Sequence, residues 1–261
     1  MDGNKLFRNI TEMHKQESLK IGLIGGTDST GGAGVSADIE TIEKLGASPF
    51  PVISAITLQR NPSKFHIHKV PYHGLKSQLE SLLNEELDAV KIGMLPDESS
   101  VELVSQYITD SPCTKIILDP VQKTSSGKFL IQSGAWEKLM FELIPKVNLI
   151  TPNLDEAQSL TGSLESSQEE LLKKCSEMEV EAVLLKGGHG KGDLSTDILF
   201  EKSKGITKFS WKRITGATSI RGTGCRLASA IAYYWAVEND LPNAVKLAGS
   251  FLQNYLKASK N

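Results

Sequence analysis

Little in this sequence acts through bulk charge, and little staples or anchors the chain. Lys and Arg number 29 against 31 Asp and Glu, a formal net charge of −2, with the two signs mixed along the chain. Nothing here draws in a nucleic-acid backbone or an anionic membrane surface, so neither is an expected partner. A charged small-molecule substrate must be handled by a few placed groups. Cysteine is scarce: Cys113, Cys175 and Cys225 are far apart and form no C-x-x-C pair. Such a set argues against a zinc site or disulfide framework and suits a reducing compartment. No apolar run approaches the ~20 residues of a membrane span. Residues 1–18 are polar and charged, without the apolar stretch of a signal peptide, so a cytoplasmic location is expected. Internal repeats, low-complexity tracts and linkers are absent too. The 261 residues suffice to bury a core without staples. The expected organisation is a polar N-terminal extension, 1–18, followed by a single domain over 19–261.

What the sequence does contain is alternation. Short apolar runs at Leu19–Gly25, Pro51–Leu58, Ala89–Gly93, Lys115–Asp119, Val147–Thr151 and Ala182–Lys186 read as strands. Helical spacing separates them at Ala37–Leu45, Leu75–Leu83, Glu98–Ile108, Ala135–Leu143, Asp155–Leu160 and Gln168–Met178. Strands that are apolar throughout, alternating with helices, imply a parallel sheet covered on both faces. The expected fold class is α/β: three layers, α/β/α, around a mostly parallel central sheet. Past Gly192 the rhythm changes to an antiparallel pair, Asp197–Phe200 and Lys208–Ile214, joined through Lys204-Gly205. Two long helices follow, Gly224–Val237 and Leu241–Leu256.

The sharpest chemical feature is Arg221-Gly222-Thr223-Gly224-Cys225, which opens directly into an Ala-rich helix. Free N–H groups and the helix dipole at such a turn favour an anion or developing negative charge. The glycines let a phosphate approach the backbone, and Thr223 adds a hydroxyl. Cys225 falls in the first helical turn, where that field is expected to favour the thiolate, with a pKa of roughly 3.5–7.5. The bland alternative is a buried structural cysteine. Arg226 follows in the same turn, where a cation opposes the dipole. It either points into solvent or is held by an anion, and phosphate on ATP or on a phosphorylated substrate is the expected one.

Three more loops end strands. Gly25 to Gly34 carries five glycines in ten residues. It is neither a Walker A loop, since no Lys-Ser/Thr follows, nor the G-x-G-x-x-G fingerprint. Thr151-Pro152-Asn153-Leu154-Asp155-Glu156 opens a helix, with Asn153 and Glu156 on one face. They could hold water around Mg²⁺, or be an ordinary N-cap and first-turn pair. Lys186-Gly187-Gly188-His189 places a cation at the same edge of the sheet.

In order along the chain, GGTDSTGGAGVSADIETIEKLGA, VISAITLQ, AVKIGML, ILDPV, LITPNLDEA, AVLLKGGH and GTGC-x-LASAIA resemble the hydroxymethylpyrimidine and phosphomethylpyrimidine kinases of the ribokinase superfamily. The resemblance spans essentially residues 20–257 and implies a ribokinase-like kinase domain, ATP and Mg²⁺ as cofactors, and a homodimer. It implies Cys225 as the base that accepts the substrate hydroxyl proton. Gly222, Thr223, Gly224 and the Cys225 N–H would form the anion hole. Lys186 would lie near the ATP phosphates, and Asp119, Asn153 and Glu156 would organise the metal and its waters. Gln59 would hydrogen-bond the aminopyrimidine edge, with Ala33, Met94 and Val121 around the ring.

The implied activity is ATP-dependent phosphorylation of hydroxymethylpyrimidine or its monophosphate in thiamine biosynthesis. Alternatives are a pyridoxal or pyridoxine kinase and a non-catalytic pyrimidine-binding protein. The chain departs from the family pattern in four places. Leu58-Gln59-Arg60-Asn61 replaces A-Q-N-T, Arg226 replaces a threonine, Ser36 replaces a glutamine, and residues 1–18 have no counterpart.

Overall fold

A computed structural model of the chain describes residues 18–60, 65–164, 167–188, 192–216 and 220–259. Most of the N-terminal extension, together with Asn61 and His189, lies outside the described residues. The strands are β1 (Lys20–Asp28), β2 (Ser48–Leu58), β3 (His66–Lys69), β4 (Ala89–Ile92), β5 (Ile116–Leu118), β6 (Leu149–Ile150), β7 (Ala182–Leu185), β8 (Leu194–Glu201) and β9 (Gly205–Lys212). The helices are α1 (Gly34–Lys44), α2 (Tyr72–Leu83), α3 (Glu98–Asp110), α4 (Ser133–Lys138), α5 (Leu154–Thr161), α6 (Gln168–Ser176), α7 (Thr223–Glu238) and α8 (Leu241–Ala258).

Among the described residues, nine strands join one sheet in the order β3-β2-β1-β4-β5-β6-β7-β8-β9. The neighbours from β2 through β7 pair in parallel, while β3, β8 and β9 add antiparallel edges. The three-layer α/β/α expectation holds. The central strands β4 to β7 bury both faces, so alternate residues feed two cores. Val90, Ile92, Leu118 and Leu185 pack under α2 to α6, and Ala89, Ile117, Leu149 and Leu184 pack under α1, α7 and α8. Chain order reverses between β1 and β4, and in open α/β sheets the crevice at such a switch point, beyond the carboxyl ends of the strands, is where ligands bind.

Several boundaries differ from the sequence reading for identifiable reasons. β2 begins at Ser48 despite Pro49 and Pro51, because β3 pairs only with Ala55–Leu58 and the prolines lie where β2 has no outer neighbour. There the Gln78 amide serves as a surrogate strand, accepting from Ile53 N–H (2.9 Å) and donating to Ile53 O (3.2 Å). β3, four largely polar residues, carries no apolar pattern and went unread. The helix expected over Ala135–Leu143 changes pitch, passing from α4 into a π turn at Leu139–Leu143 and a 3-10 turn at Ile144–Lys146.

Candidate active site

The loops singled out in the sequence converge at the carboxyl ends of β1, β2 and β4 to β7. Lys186, just after β7, donates from Nζ to Asp119 Oδ1 at 2.7 Å and stands 4.0 Å from Glu156 Oε2. Thr151 Oγ1 also donates to Asp119, at 3.1 Å. Asn153 caps α5: its side chain accepts from Glu156 N–H (2.9 Å), and Glu156 Oε2 accepts from Asn153 N–H (2.8 Å). The ordinary capping box is therefore present, and it aims Glu156 at Lys186. Burial raises the Glu156 carboxyl to about 7, with Lys186 opposing and Asp119 adding to the rise. Asp119 is held below the usual carboxylate range by Lys186 and Lys91, against the effect of its burial. Among the described residues no group of three or more His, Cys, Asp or Glu side chains is placed to cage a metal.

The anion-hole turn is built against the first glycine loop. Gly222 caps α7 with φ of 70°, in the left-handed region open to glycine. A Cβ there would lie 2.3 Å from Gly32 O and 2.9 Å from Ala33 Cα. Gly34, with φ of 60°, presses on β1 so closely that a Cβ would lie 2.2 Å from Gly26 O. A Cβ on Gly224 would come within 3.3 Å of Lys186 Nζ. Gly222, Thr223, Gly224, Ala33 and Lys186 are thus brought to one place.

Arg226 is not. Only 3 % exposed, its guanidinium turns back under the turn. It donates to Gly32 O (2.9 Å) and Arg221 O (3.1 Å), pairs with Glu40 (2.6 Å) and stacks 4.5 Å from the Tyr255 ring centroid. The phosphate role expected of Arg226 is corrected accordingly. The cation that opposes the dipole is held by a carboxylate, and it clips together α7, α1, α8 and the glycine loop.

The thiolate expectation for Cys225 is corrected too. Gly34 N–H faces the sulfur and Lys91 favours the charged form, but burial, Asp38 and Asp119 prevail and push the thiol up to about 11. Lys186 is the other cation close enough to matter. Beneath Cys225 lies a cluster that the sequence reading missed. Lys91, 1 % exposed, pairs with the fully buried Asp38 at 2.8 Å, and Asp38 also accepts from Ser229 Oγ at 2.8 Å. Cys225 and Ser229 are one turn apart on α7, as are Gly34 and Asp38 on α1, so the two helices meet along these faces. The signal was available: a lysine in the otherwise apolar Ala89-Val90-Lys91-Ile92 must bury its charge on a strand covered on both sides.

Across the β1/β4 switch point lies the remaining wall. Met94 and Val121 gather with Ala55, Leu130, Phe65 and Ile67 in a small apolar cluster. Gly26 leaves room for the Met94 sulfur, which a Cβ there would meet at 2.7 Å. Above it is a cleft of about 170 Å³ lined by Gln59, Phe65, Ser125, Ser126 and Arg221. Gln59 Nε2 donates to Thr57 Oγ1 (2.7 Å), and its carbonyl accepts from Arg221. Sequence reasoning assigns Arg221 no role beyond opening the Gly222–Cys225 motif.

A family described as phosphomethylpyrimidine kinase matches residues 28–261 of the chain. The chain belongs to the phosphomethylpyrimidine kinase family. It is similar to the hydroxymethylpyrimidine/phosphomethylpyrimidine kinase of Aquifex aeolicus, 36% identical over 91% of this chain and 94% of that protein. Among solved structures, the phosphomethylpyrimidine kinase of Clostridium difficile 630 superposes with a TM-score of 0.79 at 29% identity, covering 92% of this chain and 100% of that one. The pyridoxal kinase of Staphylococcus aureus in complex with pyridoxal gives 0.82 at 26%, covering 92% and 88%. The family thus shares its architecture with a pyridoxal kinase.

Proposed function

We propose that the chain transfers the γ-phosphoryl group of ATP to the hydroxymethyl group of hydroxymethylpyrimidine, with phosphomethylpyrimidine as a second acceptor, in thiamine biosynthesis. The observation that carries this reading is the meeting of three parts at one sheet edge. The Gly222–Cys225 turn lies between the Lys186–Asp119–Glu156 cluster on one side and the Gln59 cleft with its apolar floor on the other.

Phosphoryl transfer is mainly positioning plus charge neutralisation. Backbone N–H groups of Gly222, Thr223, Gly224 and Cys225 would receive the charge that develops on the transferring group. Lys186 would neutralise the nucleotide phosphates. The apolar cluster of Met94, Val121 and Ala55 would seat the ring and exclude water together with Ala33, which lies beside Gly222, while Gln59 holds the aminopyrimidine edge. Cys225, as thiolate, would take the hydroxyl proton onto its sulfur. Lys91 and Lys186 supply the positive potential that makes this form reachable despite Asp38 and Asp119.

Magnesium fits the Asp119–Glu156 side. Two buried carboxylates there are incompletely compensated by Lys186, as the raised Glu156 carboxyl indicates. Magnesium commonly binds one or two carboxylates together with water and substrate phosphate. When bound, it would supply neutralisation of the phosphate charge. A homodimer in a cytoplasmic setting is part of the same proposal, the assembly being measurable by light scattering.

A pyridoxal kinase is the second reading, favoured by the superposition on the Staphylococcus aureus enzyme. The pyrimidine reading is preferred because the 36% identity extends along 94% of the Aquifex aeolicus protein. The test is ATP turnover with hydroxymethylpyrimidine, its monophosphate, pyridoxal, pyridoxine and ribose. Turnover with the two pyrimidines is expected. Turnover with pyridoxal alone overturns the acceptor assignment, and none with any alcohol favours a binding protein.

A further inference from the structure

Two cations flank the Gly222–Cys225 turn, and the nucleotide side uses only one of them. Lys186 approaches Gly224 from the Asp119 side. Arg221, immediately before Gly222, stands on the opposite side, in the wall of the cleft with Gln59, Phe65, Ser125 and Ser126. Its β-carbon also meets the glycine loop, 3.5 Å from where a Cβ on Gly32 would lie. The guanidinium is aimed rather than loose. Asp28 Oδ2 pairs with Nη2 at 3.0 Å, Thr30 Oγ1 accepts from Nη1 at 3.2 Å, and Gln59 Oε1 accepts from Nη2. Asp28 is buried at the end of β1 and is itself fixed by Thr30, through N–H (3.0 Å) and Oγ1 (2.8 Å). Among the described residues these contacts take three of the five guanidinium donors. Nε–H and one Nη1–H remain on a side chain that is 30% exposed. A cation held in this way can give paired hydrogen bonds to a phosphate at little further cost in orientation.

We propose that Arg221 binds the phosphate of a phosphomethyl acceptor and is the residue that fits this site for a second phosphoryl transfer. This rests on the acceptor reading above and deepens it. The two transfers make different chemical demands. With the alcohol, its oxygen forms a bond to the γ-phosphorus, the bond from that phosphorus to the β,γ-bridging oxygen breaks, ADP departs with the electron pair, and the hydroxyl proton goes to the Cys225 sulfur. With the monophosphate, a phosphate oxygen attacks the same phosphorus and the same bond breaks. A phosphomonoester with a second pKa near ~6 is already a dianion at neutral pH, so no proton has to be removed. The difficulty is repulsion: a dianion must approach the nucleotide phosphates. A second cation on the acceptor side answers that need, and a base does not. Arg221 therefore serves the phosphate acceptor, and Cys225 serves the alcohol.

The test measures steady-state kinetics of Arg221→Gln, Arg221→Lys and Cys225→Ala with hydroxymethylpyrimidine and phosphomethylpyrimidine as separate acceptors at saturating ATP. For Arg221→Gln, kcat/KM for the monophosphate is expected to fall about 10- to 100-fold, the size of a lost charged hydrogen-bond pair. The alcohol, which shares the cleft and the Gln59 contact with Arg221, should lose at least about 10-fold less than the monophosphate, and the KM for ATP should hold. Arg221→Lys, which keeps the charge, should recover part of the loss. Cys225→Ala should show the opposite preference. Equal falls for both acceptors in Arg221→Gln and Arg221→Lys would make the arginine only a lock on Asp28 and overturn the proposal. Wild-type turnover of the alcohol without the monophosphate would overturn it while leaving only the first transfer of the proposed function standing. Wild-type turnover of neither pyrimidine would remove both.

Discussion

Alkylation of the native protein by iodoacetamide, followed residue by residue with mass spectrometry from about pH 6.5 to pH 9.5, reads the state of Cys225. Burial together with Asp38 and Asp119 raises this thiol from 9.0 to about 11. At pH 7.5 an ordinary thiol of pKa 9.0 is about 3% thiolate, whereas one at 11 is about 0.03%. Cys225 should therefore react about 100-fold more slowly than a solvated cysteine, with roughly a tenfold rise per pH unit and no plateau in the accessible range. Cys175, buried and raised to about 12, should be slower still. Cys113, half-buried and also raised by burial, gives an internal comparison. The same titration should govern catalysis on the alcohol, so kcat should climb with pH above 7 until another step limits. Rapid labelling of Cys225 at pH 7 with a midpoint below pH 8 would refute the reasoning. It would mean that the helix N-terminus, Lys91 and Lys186 outweigh burial and the two carboxylates.

Arg226→Thr should lower thermal stability by about 2–4 kcal/mol, through loss of two buried carbonyl bonds, the Glu40 pair and the Tyr255 stack. The KM for ATP should be unchanged, and a raised KM with unaltered melting would return Arg226 to phosphate binding. Glu156→Gln should stabilise the ligand-free protein at pH 8 but not at pH 4.5. The folded carboxyl titrates near 7 against 4.5 unfolded, so the stability tied to its protonated form is complete below 4.5 and lost as pH rises through 7, at most ~3 kcal/mol. The glutamine carbonyl can still accept from Asn153 N–H, and equal melting shifts at both pH values would contradict this account.

The sequence by itself determined the layered α/β architecture, because strands buried on both faces must be apolar throughout and their helices amphipathic. It also determined which loops meet, since parallel strands deliver their carboxyl ends to one edge of the sheet. Gly222–Cys225, Lys186, Asp119, Glu156, Gln59, Met94 and Val121 could all be named from that logic and the family resemblance. Tertiary structure alone decided what depends on partners distant in the chain. Whether Arg226 meets a phosphate or Glu40 depends on where α1 and α8 pack. Whether Cys225 is thiol or thiolate depends on the balance among Lys91, Lys186, Asp38 and Asp119, which come from four different elements. The pairing of β3 depends on a free stretch of β2 edge, and the aim of Arg221 on the buried Asp28. Periodicity and turn chemistry are local and can be read along the chain. Charge balance and side-chain destination are sums over neighbours, and those exist only once the sheet has brought them together.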